Sequence, residues 1–430
     1  MPFSELAALD HPDRHSAVLQ HLTVFCESSE VLIEEDVFDP KGHLLLQRGR
    51  RLTSQLAASF KGRELYHPLE RCLRVRNGLY SSLRERARSH IDQDELMQRL
   101  LPTQEMRHDV ITLIGELRLN PTLEWLLTCL DVTHKGALNH HIGVAAMSCM
   151  TAMQAKLPET ELRKVVAAAM FHDIGDLYIA PDPAGGKGEL TLERWGQMVL
   201  HPLISRNILT DFALLPADVT QAVAEHHERS NGGGYPHKTS SLSQLGSILA
   251  ISEALIGVLG SGGNSGRRAY MALHFERDEF ANGVASLLTP FLTHIDVQNT
   301  APDNVDPMKL MPKLKALTTL MANAERLVED IRENPVNADL LAHIRARLQR
   351  LNSTLNATGM SDPVMLFEQI LEGHDTRMLL EMDMTTREII WRLRYLARSV
   401  SLDLAPMPPM HQKLFEPFLE LLSKTPDARG

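Results

Sequence analysis

The chain has 430 residues, which is long for one compact domain and predicts two or three. Its net charge of −10 argues against broad binding to nucleic acid polymers or anionic membranes. No apolar run approaches the roughly 18 residues that a membrane span requires, and no signal sequence begins the chain. Four cysteines lie far apart without a C-x-x-C pair, so we expect free thiols and a cytoplasmic location.

The first 76 residues predict a small α/β or β-rich domain. Residues 31–33 and 43–46 are typical of strands on either side of a turn, and residues 72–75 predict a closing strand. A short helix with a capping hydroxyl residue is predicted between the second and third strands.

Helical periodicity begins near residue 77 and predicts an all-helical domain that extends to about residue 298. Residues 299–307 have the composition of a linker. Residues 308–424 then predict four or five amphipathic helices, which is typical of a bundle that serves packing or contact with a protein partner. The predicted class is therefore mainly α, with domains at 1–76, 77–298 and 299–430.

A histidine and an aspartate follow the apolar stripe of a helix predicted from Glu161 to Phe171. The helix ends at Phe171, His172 and Asp173 come next, and Gly175 is expected to cap its C-terminus. Polar residues in this position are directed into the protein or a cleft. Because a buried carboxylate needs a partner, a cation is indicated.

Further histidines occur on neighbouring helices. His226 lies on the apolar face of a helix from Ala217 to about Glu228, and His227 is about 100° around it, where it could reach the same centre only near the edge. His140 and His141 begin another helix, and His201 follows a further one. A lone helical histidine is usually a core or surface group, and His141 and His227 could be mere neighbours of ligands. Together, however, these clusters predict a site for iron, manganese or zinc.

Several motifs in order resemble the HD-GYP family of metal-dependent phosphohydrolases, which hydrolyse cyclic di-GMP. They are His172-Asp173-Ile174-Gly175, His201-Pro202, His226-His227-Glu228-Arg229, Gly234-Tyr235-Pro236 and Arg268-Ala269-Tyr270. The resemblance covers roughly residues 130 to 290.

The resemblance implies a cofactor of one or two divalent ions, such as iron or manganese, and cyclic di-GMP or a related nucleotide as substrate. It implies that Asp173 bridges the metals while a metal-bound hydroxide attacks phosphorus. The implied metal ligands are His140, His172, Asp173, His201, His226 and His227. The implied substrate contacts are Gly234, Tyr235, Pro236, Arg268 and Tyr270.

Three positions depart from the family pattern. Ser252 is expected where the family has a metal-binding aspartate, with Glu253 pointing about 100° away. Asp176 replaces a lysine and is either a solvated helix-end residue or a substitute carboxylate. Gly136 replaces an acidic residue, so a third ion is not expected.

These departures imply weak binding of the metals, a single ion or none. Two alternatives to a cyclic di-GMP phosphodiesterase therefore stay open. One is a catalytically degenerate signalling protein that binds a nucleotide or a protein partner through the same fold. The other is a phosphohydrolase of a different nucleotide.

Overall fold

The computed structural model describes residues 12–181, 190–259, 269–273, 278–298, 305–362, 364 and 376–425. The chain divides into two compact units. The first consists of Met1–Leu190, Gln197–Gly260 and Asp278–Phe291. The second consists of Thr191–Gly196, Ser261–Arg277 and Leu292–Gly430. The predicted domain boundaries at residues 76 and 298 stay a prediction.

The N-terminal part of the first unit contains helices and short strands. Its elements are α1 (Pro12–Ser28), β1 (Val31–Ile33), β2 (Val37–Phe38), β3 (Leu44–Leu46), β4 (Arg51–Leu52), α2 (Ser54–Ala58) and β5 (Leu73–Val75). The strands form a three-stranded antiparallel sheet in the order β4-β1-β5 and a separate β2-β3 pair. The predicted strand-containing region is confirmed.

Between residues 83 and 298 the described residues are mostly helical. In chain order the helices are α3 (Leu83–Gln93), α4 (Glu95–Leu100), α5 (Gln104–Gly115), α6 (Pro121–Thr133), α7 (Ala137–Gln154), α8 (Glu159–Phe171), α9 (Leu192–Met198), α10 (His201–Asp211), α11 (Ala217–Glu225), α12 (Gln244–Leu259) and α13 (Asn282–Gln298). Helix α7 packs against α8 and α12, and α11 packs against α8, α10 and α12. This packing brings together the helix ends that carry the histidines.

The second unit contains α14 (Pro307–Asp330), α15 (Ala338–Ala357), α16 (Thr376–Leu404) and α17 (Pro409–Ser423). Their buried leucines, isoleucines, methionines and phenylalanines form one hydrophobic core. The predicted mainly α class and the C-terminal helices are confirmed. Every helix in the described ranges is too short or too polar for a transmembrane span.

Helix α1 is bonded to the segment that follows Asp173. Arg14 Nη1 donates to the backbone carbonyl of Tyr178 at 3.1 Å, and His21 Nε2 lies 3.0 Å from the carbonyl of Ile179. The side chain of Glu70, which is buried, lies beside the Tyr178 hydroxyl. The N-terminal elements therefore help to fix the backbone next to the functional site.

Replacing Glu70 with glutamine is expected to raise the free energy of unfolding at neutral pH. Burial raises the pKa of the Glu70 carboxyl in the folded protein. At pH values between the pKa of Glu70 in the unfolded chain and its higher pKa in the folded protein, Glu70 is protonated only in the folded state. The stability of the wild type therefore falls as the pH rises between these two values. Denaturant unfolding at a series of pH values measures the effect.

The Glu70→Gln variant should show a weaker loss of stability with rising pH than the wild type. Glu64→Gln is the matched control because Glu64 is exposed. Equal pH dependence in the wild type and Glu70→Gln would contradict the prediction.

Candidate metal centre

Seven side chains from successive helices meet in the first unit. His140 lies on α7, His201 begins α10, and Glu253 lies on α12. His172 and Asp173 follow the end of α8, and His226 and His227 follow the end of α11. Their donor atoms are all imidazole nitrogens or carboxylate oxygens.

The seven residues form two groups that share Asp173. One group is Asp173, His201, His226 and His227, and the other is His140, His172, Asp173 and Glu253. Within each group the ligand atoms lie within 4.8 Å of one another, so that each group could hold a metal ion.

The two carboxylate oxygens of Asp173 are directed to different groups. Oδ1 lies 3.1 Å from His201 Nε2 and 3.3 Å from His226 Nε2. Oδ2 lies 3.1 Å from His172 Nε2. A carboxylate in this position can bridge two neighbouring cations.

Backbone carbonyls fix the orientation of three imidazoles. Nδ1 of His172, His201 and His226 lies 2.7, 2.7 and 2.6 Å, respectively, from the carbonyl oxygen three residues earlier in the chain. A carbonyl can only accept, so Nδ1 carries a proton, and Nε2 can present a lone pair to a metal ion when it is itself unprotonated. Nε2 of His201 and Nε2 of His226 are 3.0 Å apart. A proton on one of the two nitrogens, or a metal ion beside them, would offset the repulsion between lone pairs at this distance.

Three buried polar atoms in the centre lack a hydrogen bond of proper geometry within the described part of the chain. They are His172 Nε2, Asp173 Oδ1 and Glu253 Oε2. Leaving such atoms unsatisfied is costly, and coordination to a cation would satisfy all three. The residues therefore fit a pair of divalent ions, and the mixture of imidazole and carboxylate suits iron, manganese or zinc.

The carboxylates dominate the electrostatics of the centre. Burial alone would raise the pKa of Asp173. The contacts with His172 and the other imidazoles have a larger, opposite effect, so the pKa of this carboxyl lies well below its usual range. Burial lowers the pKa of His172, yet the charges of Asp173 and Glu253 raise it well above its ordinary value. The centre thus keeps its carboxylates ionised and strongly favours positive charge.

The expectation that Ser252 lies towards the metals is wrong. Ser252 is buried, and its hydroxyl donates to the carbonyl of Ile248 at 2.8 Å within α12. Glu253 instead faces the centre, where Oε2 lies 2.9 Å from His140 Nε2 and 3.1 Å from His172 Nε2. The second group therefore has a carboxylate of its own besides Asp173.

His227 belongs to the centre more fully than its helical angle predicts. Helix α11 ends at Glu225, three residues earlier than expected, so the 100° separation of an ideal helix does not apply beyond it. His227 is placed with His201 and His226 in the first group. The Tyr235 ring stacks on its imidazole with centroids 4.6 Å apart.

The Gly-Tyr-Pro turn is bound tightly to the His-His-Glu segment. Tyr235 N donates to the carbonyl of His227 at 3.0 Å. The Glu228 carboxylate accepts from the backbone N–H groups of His237 at 2.6 Å and Thr239 at 3.1 Å. At Gly234 a Cβ would overlap backbone atoms of His227, Glu228 and Arg229. Pro236 is buried in the same turn.

Gly234→Ala is expected to lower the free energy of unfolding by about 1–3 kcal/mol and to reduce metal content. The added methyl group must push the turn away from the backbone that carries His227. Gly257→Ala is the control, because a Cβ at this position of α12 meets open space. Thermal unfolding and metal analysis measure both effects, and a stable Gly234→Ala protein with full metal content would contradict the prediction.

The remaining predicted positions differ in where they lie. Asp176 is half-buried and belongs to neither metal group, although its charge helps to raise the pKa of His201, which burial alone would lower. Gly136 has a φ of +87° and precedes the first residue of α7. Tyr270 belongs to the second unit, and Arg268 lies outside the described residues.

Two neighbours of the centre have supporting positions. His141 is buried outside both groups, and its Nδ1 lies 3.0 Å from the carbonyl of Met170. Gly175 does not cap α8, because the helix ends at Phe171. Gly175 lies instead in a 3-10 helix, where a Cβ would overlap the carbonyl of His201 and the backbone of Ser205.

Comparison with known proteins identifies the domain that carries this centre. Residues 137–256 match the model of the HD domain family. Over these residues the chain is similar to the HD domain. The matched range includes all seven residues of the two metal groups.

The HD domain is homologous to two cyclic di-GMP phosphodiesterases. Cyclic di-GMP phosphodiesterase PA4108 of Pseudomonas aeruginosa is 32% identical over 122 residues, which are 27% of this chain and 29% of that protein. The response regulator RpfG of Xanthomonas campestris, also named a cyclic di-GMP phosphodiesterase, is 30% identical over 122 residues, which are 28% of this chain and 32% of that protein. The match thus spans less than a third of either relative. The predicted relationship to the HD-GYP phosphodiesterases is confirmed.

A solved structure with a related description is that of Bd1817, an HDG"Y"P protein from Bdellovibrio bacteriovorus. It is 12% identical, with a TM-score of 0.33, and the match covers 62% of this chain and 94% of that chain.

Proposed function

We propose that this protein is a metal-dependent phosphodiesterase that hydrolyses cyclic di-GMP. The observation that carries the proposal is the pair of ligand groups joined by Asp173. The substrate is inferred from the two homologous cyclic di-GMP phosphodiesterases and from the Gly-Tyr-Pro turn beside His227.

Each of the two ligand groups would hold one metal ion. His201, His226 and His227 would hold one ion, and His140, His172 and Glu253 the other, with Asp173 fixing their spacing. Divalent ions in such a pair activate water and neutralise charge that develops on phosphoryl oxygens.

The chain itself supplies rigidity and shape. The carbonyls of Ala169, Met198 and Val223 lock the imidazoles, so that little reorganisation accompanies binding. Tyr235 offers an aromatic face beside His227 for contact with substrate. Substrate contacts by Gly234, Tyr235 and Pro236 are part of this proposal, whereas those of Arg268 and Tyr270 rest on the sequence resemblance alone.

Glu253 favours the catalytic function over the degenerate alternative. The degenerate reading depended chiefly on a neutral Ser252 at a ligand position, and Glu253 supplies a carboxylate there. We therefore propose two ions, of iron, manganese or a similar metal. Asp176 and the long C-terminal helical region still support a non-catalytic signalling protein that binds a nucleotide or a protein partner.

The test is metal analysis of the purified protein together with a hydrolysis assay on cyclic di-GMP in added manganese or ferrous iron. The expected result is two ions per chain and release of the opened, linear nucleotide. Full metal content without hydrolysis would sink the proposed activity, and hydrolysis without bound metal would sink the proposed mechanism.

A reducing compartment such as the cytoplasm is part of the same proposal, because all four cysteines are buried free thiols. Contact of the C-terminal helices with a protein partner also stays a proposal. It could be tested by comparing complexes recovered with the full chain and with surface variants of α14 to α17.

A further inference from the structure

A cavity of about 260 Å³ adjoins the metal centre on the side of His140. His140 and Asp173 line it, together with the short connection between α6 and α7. His134, Lys135 and Gly136 form that connection and border the same space. A molecule in this cavity would therefore contact Asp173, which both metal groups share, and the α6–α7 connection at the same time.

Lys135 is the only lysine or arginine among the described residues that line this cavity. Its side chain is exposed, and within the described ranges no carboxylate forms an ion pair with it. It differs in this respect from Lys164, which contacts Glu161 and Asp218. The charge of Lys135 is thus available to a ligand in the cavity.

The connection fixes the backbone from which the Lys135 side chain extends. Gly136, in the left-handed region, allows the sharp turn into α7. Ala137 N donates to the carbonyl of His134 at 3.0 Å, and His140 N donates to the carbonyl of Gly136 at 3.0 Å. The N-terminal end of α7, with its partial positive charge, faces the same cavity through Gly136 and Ala137.

We infer that Lys135 binds a phosphate of the substrate in this cavity and so sets how a phosphodiester is presented to the metal centre. This inference rests on the proposed function. A phosphodiester is anionic, and the nearby carboxylates of Asp173 and Glu253 repel it wherever the metals do not fully neutralise them. A cation that lines the same cavity as Asp173 offsets this repulsion and gives the substrate a second point of attachment. Lys135 is a substrate-binding residue in this arrangement and takes no part in bond cleavage.

The test compares Lys135→Ala with Lys61→Ala in the manganese-loaded full chain. Lys61 is an exposed lysine of the same unit that does not line the cavity, so its loss changes the net charge equally. Lys135→Ala is expected to raise KM for cyclic di-GMP about tenfold, with kcat and metal content close to wild type. Lys135→Arg should restore most of the affinity, and Lys61→Ala should leave KM unchanged.

The failure of this inference and that of the proposed function give different results. If the wild type hydrolyses cyclic di-GMP and Lys135→Ala has the same KM, the inference is overturned while the proposed function stands. If the wild type does not hydrolyse cyclic di-GMP, the proposed function fails, and titration of both proteins with inorganic phosphate decides the inference. Weaker phosphate binding by Lys135→Ala than by Lys61→Ala then supports it. Equal binding, or no binding by the wild type, overturns it.

Discussion

Replacing Asp173 with asparagine is expected to remove most of the bound metal and to lower hydrolysis of cyclic di-GMP by at least about 100-fold. The carboxylate is shared by both ligand groups, and its two oxygens face different imidazoles. An amide keeps the size but loses the negative charge, and one of its two ends becomes a donor that repels a cation. Neither ion position should therefore survive intact, and metal analysis with a hydrolysis assay measures the loss.

Asp176→Asn is the matched control for this variant. Asp176 lies three residues further along the chain and is half-buried, but it belongs to neither group. It should therefore keep its metal content. If Asp173→Asn retained both ions, Asp173 would not bridge them. If Asp176→Asn lost as much metal as Asp173→Asn, the loss would reflect the removal of negative charge near the centre and not the loss of a ligand.

The helix ends of the centre could be predicted from sequence because their signal is local. A histidine and an aspartate directly after the apolar stripe of α8 have few places to point except inwards. His226 was predicted from its place on the apolar face of α11, and His140 from the resemblance to the HD-GYP family. Helical spacing was less successful for His227, because the sequence did not reveal that α11 ends at Glu225.

The face of α12 could not be predicted in the same way. An apolar stripe marks the buried side of a helix only when the other side is in water. Helix α12 is buried on several sides, since the consecutive residues Ala250, Ile251 and Ser252 are all inaccessible. Periodicity alone therefore could not tell which buried face meets the histidines, and Ser252 was chosen where Glu253 lies. The acidic residue itself was the signal that could have corrected the choice.

The small strands show a similar limit. The predicted strands at 31–33, 43–46 and 72–75 are present, but their neighbours β2 and β4 have two residues each. Segments this short show no alternation of apolar and polar residues, so pairing could not be inferred. The contacts of Arg14 and His21 with the segment after Asp173 join residues more than 150 positions apart and have no local signature.

Replacing Glu253 with glutamine is expected to lower metal content by about half while leaving the fold intact. Glu253 contributes the only carboxylate that the second group does not share, in contact with His140 and His172. Without the charge of Glu253, the second group keeps only Asp173, the carboxylate that it shares with the first group. The affinity of the second group for a divalent cation should therefore fall. The group of His201, His226 and His227 keeps its donors, so one ion should remain.

Hydrolysis should fall with the lost ion, because a single cation cannot neutralise both sides of the reacting phosphate. Ser252→Ala is the control on the adjacent position. Its hydroxyl donates to the carbonyl of Ile248 in the same helix, with no other hydrogen bond in the described part of the chain, so its loss should leave metal content unchanged. Metal analysis of Glu253→Gln and Ser252→Ala shows which of the two residues is the metal ligand. Loss of metal in Ser252→Ala but not in Glu253→Gln would return the ligand role to Ser252. The opposite pattern would establish that two neighbouring residues of α12 divide their roles, with Ser252 satisfied inside the helix and Glu253 completing the cage.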